Sequence, residues 1–146
     1  MSSTRTYPER PLLAVSAAIW RDDQVLVVQR DKEPLAGFWS LPGGLVKTGE
    51  TLGAAISREL DEETGIVADP KSVFDYVEAI YRDKDDRVKI HYVIAVFAGS
   101  WKSGTAIAAS DARAVSWRKL SNLSDFEMTK GTPGMIAKSW EFRHRS

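Results

Sequence analysis

The sequence predicts an α/β fold in which a mixed β-sheet is covered on both faces by helices. Three observations predict it. Six apolar runs of strand length are spread along the chain, and two helix-like segments stand apart from one another among them. The 146 residues, 43% of them hydrophobic, suffice for one ordinary core and would be cramped as two. A single domain over residues 1–146 is expected, with residues 1–11 as an N-terminal arm.

The elements follow in order. Residues 1–11 are broken by Pro8 and Pro11 and carry Arg5, Glu9 and Arg10, so they read as a loose terminus. Residues 12–20 and 24–29 are nearly continuous apolar runs around the turn Arg21-Asp22-Asp23, which predicts two adjacent buried strands. Residues 30–37, with Pro34 and Gly37, form a polar loop, and residues 38–41 return to strand character before Pro42. Arg30 and Lys32 are placed to reach a phosphate or to serve as exposed solubilising charges. Phe38 and Trp39 read as core, as a substrate platform, or as one of each.

Residues 44–66 are the stretch around which the chain is organised. Pro42, Gly43, Gly44 and Gly49 break the chain before a helix, and Gly65 suits a left-handed residue closing it. Thr48 or Thr51 is the candidate cap, and Glu50 suits the positive end of the helix dipole. At about 100° per residue, Leu52, Ala55, Ile56, Leu60 and Ile66 share one arc, and Glu59 and Glu63 fall inside it. A core-facing carboxylate costs several kcal/mol unless a cation meets it. Glu59, Glu62 and Glu63 stand at i, i+3 and i+4, with Arg58 the only basic residue of the helix. A hard divalent cation held by oxygen ligands resolves the excess, whereas a solvated acidic helix would not need the inward placement.

Beyond Gly65, residues 73–81 and 88–97 read as strands around the charged turn 82–87. The second is apolar on both faces from Tyr92, which argues for a central position, and His91 reads as a structural histidine. Residues 99–109 form a small-residue loop, 112–117 a last strand, and 135–142 a closing helix entered at Pro133-Gly134, with Met135, Ile136 and Trp140 inward.

Composition excludes several function classes. Twenty basic and twenty acidic side chains leave no net charge, so no general attraction to nucleic acid or membrane follows. The absence of cysteine removes disulfides and thiolate metal sites. The N-terminus has no apolar signal segment and no run reaches a membrane span, so a cytoplasmic protein is the expectation.

Gly44, five residues, Glu50, seven residues, then Arg58-Glu59-Leu60-Asp61-Glu62-Glu63-Thr64-Gly65-Ile66 resembles the full signature of the Nudix hydrolases at all nine specified positions. That resemblance covers residues 37–66. It sharpens the fold to the Nudix-type α/β/α sandwich with a central mixed β-sheet. It also implies Mg²⁺-dependent hydrolysis of the pyrophosphate linkage in a nucleoside diphosphate linked to another moiety, with Mn²⁺ as an alternative ion. Glu59 and Glu63 are then the leading metal ligands and Glu62 a third ligand or a residue that orients the water, with Arg58 and Glu50 as a supporting pair, Glu50 either bonded to Arg58 or near a metal-bound water. Gly43 and Gly44 let the backbone fold tightly there, and Arg30, Trp39 and Tyr81 are candidate substrate contacts. Many relatives carry a Glu shortly before the Trp of the last strand; the corresponding residue here is Ala114. Asp111, Glu127 or the helix carboxylates are left to serve as general base.

The run Gly37 to Gly44, with Arg82, Asp83, Arg87 and His91-Tyr92-Val93-Ile94, resembles the bacterial branch labelled ADP-ribose pyrophosphatase. ADP-ribose or a similar nucleotide sugar is therefore the first expected substrate, and nucleoside triphosphates, including oxidised ones, the second. Tyr81 stands where ADP-ribose enzymes tend to carry proline, and a tyrosine there is associated with dinucleoside polyphosphate hydrolases. A non-catalytic nucleotide sensor on the same fold would usually lose box glutamates, and this chain keeps them all. The partner expected is a nucleotide-derived small molecule, with a homodimer as a common state in the family.

Overall fold

The computed structural model describes residues 5–33 and 35–144. Residues 1–4 of the expected arm and Pro34 of the expected loop lie outside that range. The elements are β1 (Leu12–Arg21), β2 (Gln24–Arg30), β3 (Trp39–Ser40), β4 (Gly43–Leu45), α1 (Leu52–Thr64), β5 (Val67–Arg82), β6 (Val88–Ser103), β7 (Ala112–Lys119), a 3-10 helix (Leu120–Asp125) and α2 (Thr132–His144). The strands form one seven-stranded mixed sheet with the path β3-β2-β1-β6-β5; β4 adds to β1 and β7 to β2. β1 and β6 run parallel, Leu12 opposite Tyr92 through Trp20 opposite Ser100, and the other pairs are antiparallel. β6 lies between β1 and β5, the central place its two apolar faces predict.

Alternation along the strands builds two cores. Val15, Ala17 and Ile19 of β1, Leu26 of β2 and Ala95 and Phe97 of β6 pack with Ala55, Ile56 and Leu60 of α1. The intervening Ala18, Trp20, Val25, Val27 and Val96 pack on the other face with Leu123 and Ile136, and Met135 and Trp140 of α2 join them. Trp20 is fully buried there and its indole N–H donates to Ser139 Oγ at 2.9 Å. The sheet is thus covered on both sides, the α/β/α arrangement expected.

β1 and β2 pair at Trp20 with Val25 and at Arg21 with Gln24, and then diverge. The gap is filled by β4, pairing Ala14 to Ser16 of β1, and by β3, pairing Val28 and Gln29 of β2. The expected strand over 38–41 is therefore only Trp39–Ser40, because Leu41-Pro42 carries the chain from one side of the split to the other. This crossing delivers Gly43 and Gly44 beneath α1.

Two other expectations are corrected, and one of two alternatives is selected. The strands predicted at 73–81 and 88–97 extend to Val67–Arg82 and Val88–Ser103, so the expected loop at 99–109 begins after Ser103; backbone pairing with β1 and β5 carries β6 past its apolar run. Of the two candidate caps, Thr51 closes α1, accepting from the Ala54 N–H at 3.1 Å. Residues 5–11, read as loose, are docked by Tyr7. Its N–H donates to Lys89 O at 2.8 Å, its hydroxyl to Asp83 Oδ2 at 2.8 Å, and Arg87 lies 4.5 Å over its ring. At the other end of α1, Gly65 adopts φ 74° and its N–H donates to Asp61 and Leu60 carbonyls, as the spacing predicts. No helix among the described residues is long and apolar enough to cross a membrane.

Candidate active site

α1 packs over β4, and the glycines of β4 set how closely. A Cβ on Gly44 would lie 2.5 Å from the Glu59 carboxyl carbon, so the Glu59 carboxylate rests directly on the glycine backbone. A Cβ on Gly43 would lie 2.0 Å from the Val15 carbonyl oxygen. The two glycines thus permit close approach on opposite sides, Gly44 to the helix and Gly43 to β1.

Glu63 is the buried carboxylate of the site, 8% exposed, and accepts from the Gly43 N–H at 3.2 Å. Burial pushes its pKa up to about 7, and the nearby charges of Glu59 and Asp111 push the same way; the Gly43 N–H and Arg30 pull it back. Thr64 beside it is also buried, its hydroxyl donating to Leu60 O at 2.6 Å.

Arg58 organises the remaining acids. Its Nε donates to Glu50 Oε2 at 2.7 Å, and its Nη2 to Glu50 Oε1 and the Leu45 carbonyl, each at 3.0 Å. Nη1 faces Glu59 Oε1 at 2.8 Å and Glu62 Oε1 at 3.3 Å. Glu50 therefore lies before the N-cap, acting as the partner of Arg58 and not as a charge within the first helical turn. The guanidinium, followed by the Lys47 N–H, holds the Glu50 pKa down to about 2, and the guanidinium's own pKa is raised in return. Among the described residues, no three His, Cys, Asp or Glu side chains stand gathered as a ready-made ion cage. Glu59 and Glu62 are turned toward Arg58 instead.

Beside Glu63 lies a second charged group. Ile107 N–H donates to Thr64 O at 2.9 Å and Ala109 N–H to Glu63 O at 3.1 Å, which pins the loop before β7 to the end of α1. Asp31 N–H donates to Asp111 O at 3.1 Å across the β2–β7 pair. Lys32 Nζ sits 2.9 Å from Asp111 Oδ1, and Arg113 Nε donates to Asp31 Oδ1 at 3.0 Å. The loop around Asp111 is thus tied down, and the Asp111 carboxylate is felt at Glu63.

Other predicted contacts are not brought to this point. Trp39 points to the α2 face and stacks on Phe126, centroids 4.2 Å apart and planes 7° apart. Its backbone pairs with the Glu127 carbonyl and the Thr129 N–H, so Glu127 is placed beside β3 with its side chain exposed. Tyr81 pairs with Ile90 at the outer strand β5, separated from β4 by β6 and β1. Ala114 lies on β7 opposite Gln29. Sequence reading missed the Gly43 N–H, the Leu45 carbonyl and the Lys32–Asp111 pairing. The first two are backbone groups with no residue-type signal, and the third depends on β2 and β7 being neighbours.

A model of the NUDIX domain family matches residues 10–138. The chain belongs to the Nudix family. This Nudix chain is 34% identical over 113 residues to the ADP-ribose pyrophosphatase of Methanocaldococcus jannaschii, a match covering 77% of the chain and 64% of that relative. The chain thus spans slightly less than two thirds of that relative's length. It is 36% identical over 126 residues to the putative 8-oxo-dGTP diphosphatase 2 of Mycobacterium tuberculosis, covering 86% of the chain and 85% of the relative. Among solved structures, the MutT NUDIX hydrolase from Burkholderia pseudomallei superposes with a TM-score of 0.77 at 30% identity, over 88% of this chain and 98% of that one. The family and fold expected from residues 37–66 are both borne out by these matches.

Proposed function

We propose that this Nudix protein hydrolyses the pyrophosphate linkage of a nucleoside diphosphate joined to another moiety, with ADP-ribose or a similar nucleotide sugar as the first substrate. The observation that carries the reading is the pair of carboxylates Glu59 and Glu63 held against the Gly43-Gly44 backbone, Glu63 being buried and accepting from the Gly43 N–H.

That donor set fits a hard divalent ion such as Mg²⁺ or Mn²⁺: all oxygen, anionic, and with a mutual repulsion that a cation relieves. Glu59 and Glu63 would hold it, joined by Glu62 once that side chain leaves Arg58. When bound, such an ion neutralises the diphosphate, polarises its phosphoryl oxygens and acidifies water. The protein's own residues supply the rest. Arg58 positions Glu59 and Glu62 from one guanidinium, itself fixed by Glu50 and Leu45 O. Arg30 and Lys32 bring positive charge to the same side as Glu63, where a phosphate would meet it. Ala114 cannot accept a proton. Asp111, whose charge is felt at Glu63, takes the proton from the attacking water, with the helix carboxylates the next candidates.

The Mycobacterium tuberculosis relative favours a second reading, hydrolysis of an oxidised nucleoside triphosphate to monophosphate and pyrophosphate. The test is a panel of ADP-ribose, other nucleotide sugars, nucleoside triphosphates including 8-oxo-dGTP, and dinucleoside polyphosphates, each with Mg²⁺ and with Mn²⁺, with products identified. The first reading expects AMP and a sugar phosphate from ADP-ribose at the highest kcat/KM. Glu63→Gln should lower turnover by at least about 100-fold with an unchanged circular dichroism spectrum. Near-normal activity of that variant would sink the site assignment, and binding without turnover across the panel would favour a nucleotide sensor.

A further inference from the structure

Between β6 and β7 the chain crosses the end of α1 as the loop 104–111. Its residues up to Ser110 are small except for Ile107, and that side chain is 65% exposed. Apart from Ala106, which reaches the core, little of the loop is held by packing, and backbone bonds hold it instead. α1 ends with carbonyls that its own turns leave without a donor. The Ile107 and Ala109 N–H groups supply two of them, Thr64 O at 2.9 Å and Glu63 O at 3.1 Å. The loop thus grips the main chain of Glu63 itself. It then turns back, the Ala112 N–H donating to Ala109 O at 3.1 Å, and in that turn presents Asp111.

The start of the loop is fixed by a different group. Gly104 adopts φ 95° and lies so close to the end of α1 that a Cβ there would sit 2.6 Å from Gly65 O and 3.1 Å from Ile66 Cα. Its carbonyl accepts from the Trp101 indole N–H at 2.8 Å, which ties the loop back to β6. The Trp101 ring is half-buried and packs against the core beneath α1. The Arg21 guanidinium, at the end of β1, lies 5.6 Å from its centroid and 4.3 Å from that of Trp117 on β7. Trp101 is therefore seated against β1, and through Arg21 against β7, and it passes that position to Gly104 through one hydrogen bond.

We infer that Trp101 is a positioning residue for the hydrolytic site: its indole N–H anchors Gly104, and the loop so anchored holds the Glu63 end of α1 and the Asp111 carboxylate in fixed relation. This role rests on the hydrolytic function proposed above. Filling the core at this point asks only for a ring; the N–H aimed at Gly104 O is what tryptophan adds. A helix end capped by two N–H groups of an exposed loop opens readily, since each residue released from a fixed conformation gains backbone entropy that opposes those bonds. An anchor at the start of the loop shortens the free segment and so withholds that entropy.

The experiment compares the full chain with Trp101→Phe and, as control, with Trp117→Phe, which trims the indole on the other side of Arg21. Amide hydrogen exchange is followed residue by residue, and kcat and KM are measured on the best substrate of the panel above. In Trp101→Phe, exchange at Ile107 and Ala109 should quicken about 10-fold or more while the core amides of β1 and β6 keep their protection, and kcat should fall about 10-fold with KM within about 2-fold of wild type. Trp117→Phe should leave both loop amides and kcat unchanged. The inference fails if the loop amides of Trp101→Phe exchange as in wild type, or if kcat holds although they exchange faster. It fails equally if the two variants lower kcat alike, since the indole would then serve packing alone. A wild-type chain that turns over nothing in the panel overturns the hydrolytic function and this role together, whereas normal wild-type turnover with unmoved loop amides in Trp101→Phe overturns the anchor alone.

Discussion

Gly43 and Gly44 are adjacent, yet substitution should separate them. A Cβ at Gly44 meets the end of the flexible Glu59 side chain, which can swing aside. Gly44→Ala should therefore fold nearly as well as wild type and lose at least about 10-fold in kcat/KM, because a proposed ligand is displaced. A Cβ at Gly43 meets the Val15 carbonyl and Ser16 Cα, backbone of β1 that cannot move without breaking its pairing with β4. Gly43→Ala should cost about 2–4 kcal/mol in denaturant unfolding. Equal melting temperatures for the two variants would contradict this division. Arg58→Lys should lower kcat about 10–100-fold in the same assay, since one ammonium cannot reach Glu50, Glu59 and the Leu45 carbonyl in a planar fork. At this scale the acids and Arg58 were legible because their spacing puts them on one face of a helix. The partners of Glu63 and Arg58 at Gly43 and Leu45 were not, since every residue offers an N–H or a carbonyl and only the tertiary crossing selects which is used.

The elements owe their limits to partners more than to composition. The ends of α1 were readable, Gly65 from its type and Thr51 as one of two candidates, because caps are local. Gly65→Ala, forced into φ 74°, should destabilise by about 1–2 kcal/mol in a thermal melt, and Thr51→Ala by about 1 kcal/mol. Strand ends were misread where hydrogen bonding across the sheet outlasts the apolar run, as in β6 to Ser103, or stops short of it, as in β3 at Ser40. α2 is tied to β5 by Lys138 and Asp75. The Lys138 ammonium, followed by the Tyr76 N–H, holds the Asp75 pKa below its ordinary value. A carboxyl with a depressed folded pKa lends stability above its unfolded pKa of about 3.9, and that stability is lost as pH falls through the folded value. Lys138→Ala should therefore reduce stability at neutral pH and flatten its acid limb below about pH 4, while a curve parallel to wild type would show the pair contributes nothing.

For the whole molecule, the class of fold was legible because alternate residues of β1, β2 and β6 are apolar on both faces, which a sheet with helices on both sides requires. The strand order was not, because nothing in residues 12–20 says that their partner lies at residues 92–100. Nor did the sequence foretell that β1 and β2, joined by a tight turn, would diverge after two pairs and admit β4 between them. That split governs the order of assembly. Among the described residues, β4 pairs with β1 alone, and β1 at that level pairs otherwise only with β6, about eighty residues further along the chain. The glycine cradle therefore cannot settle when α1 first forms. It must wait through the closure of a long loop, so during synthesis the acidic helix is complete well before the surface against which its carboxylates take their places.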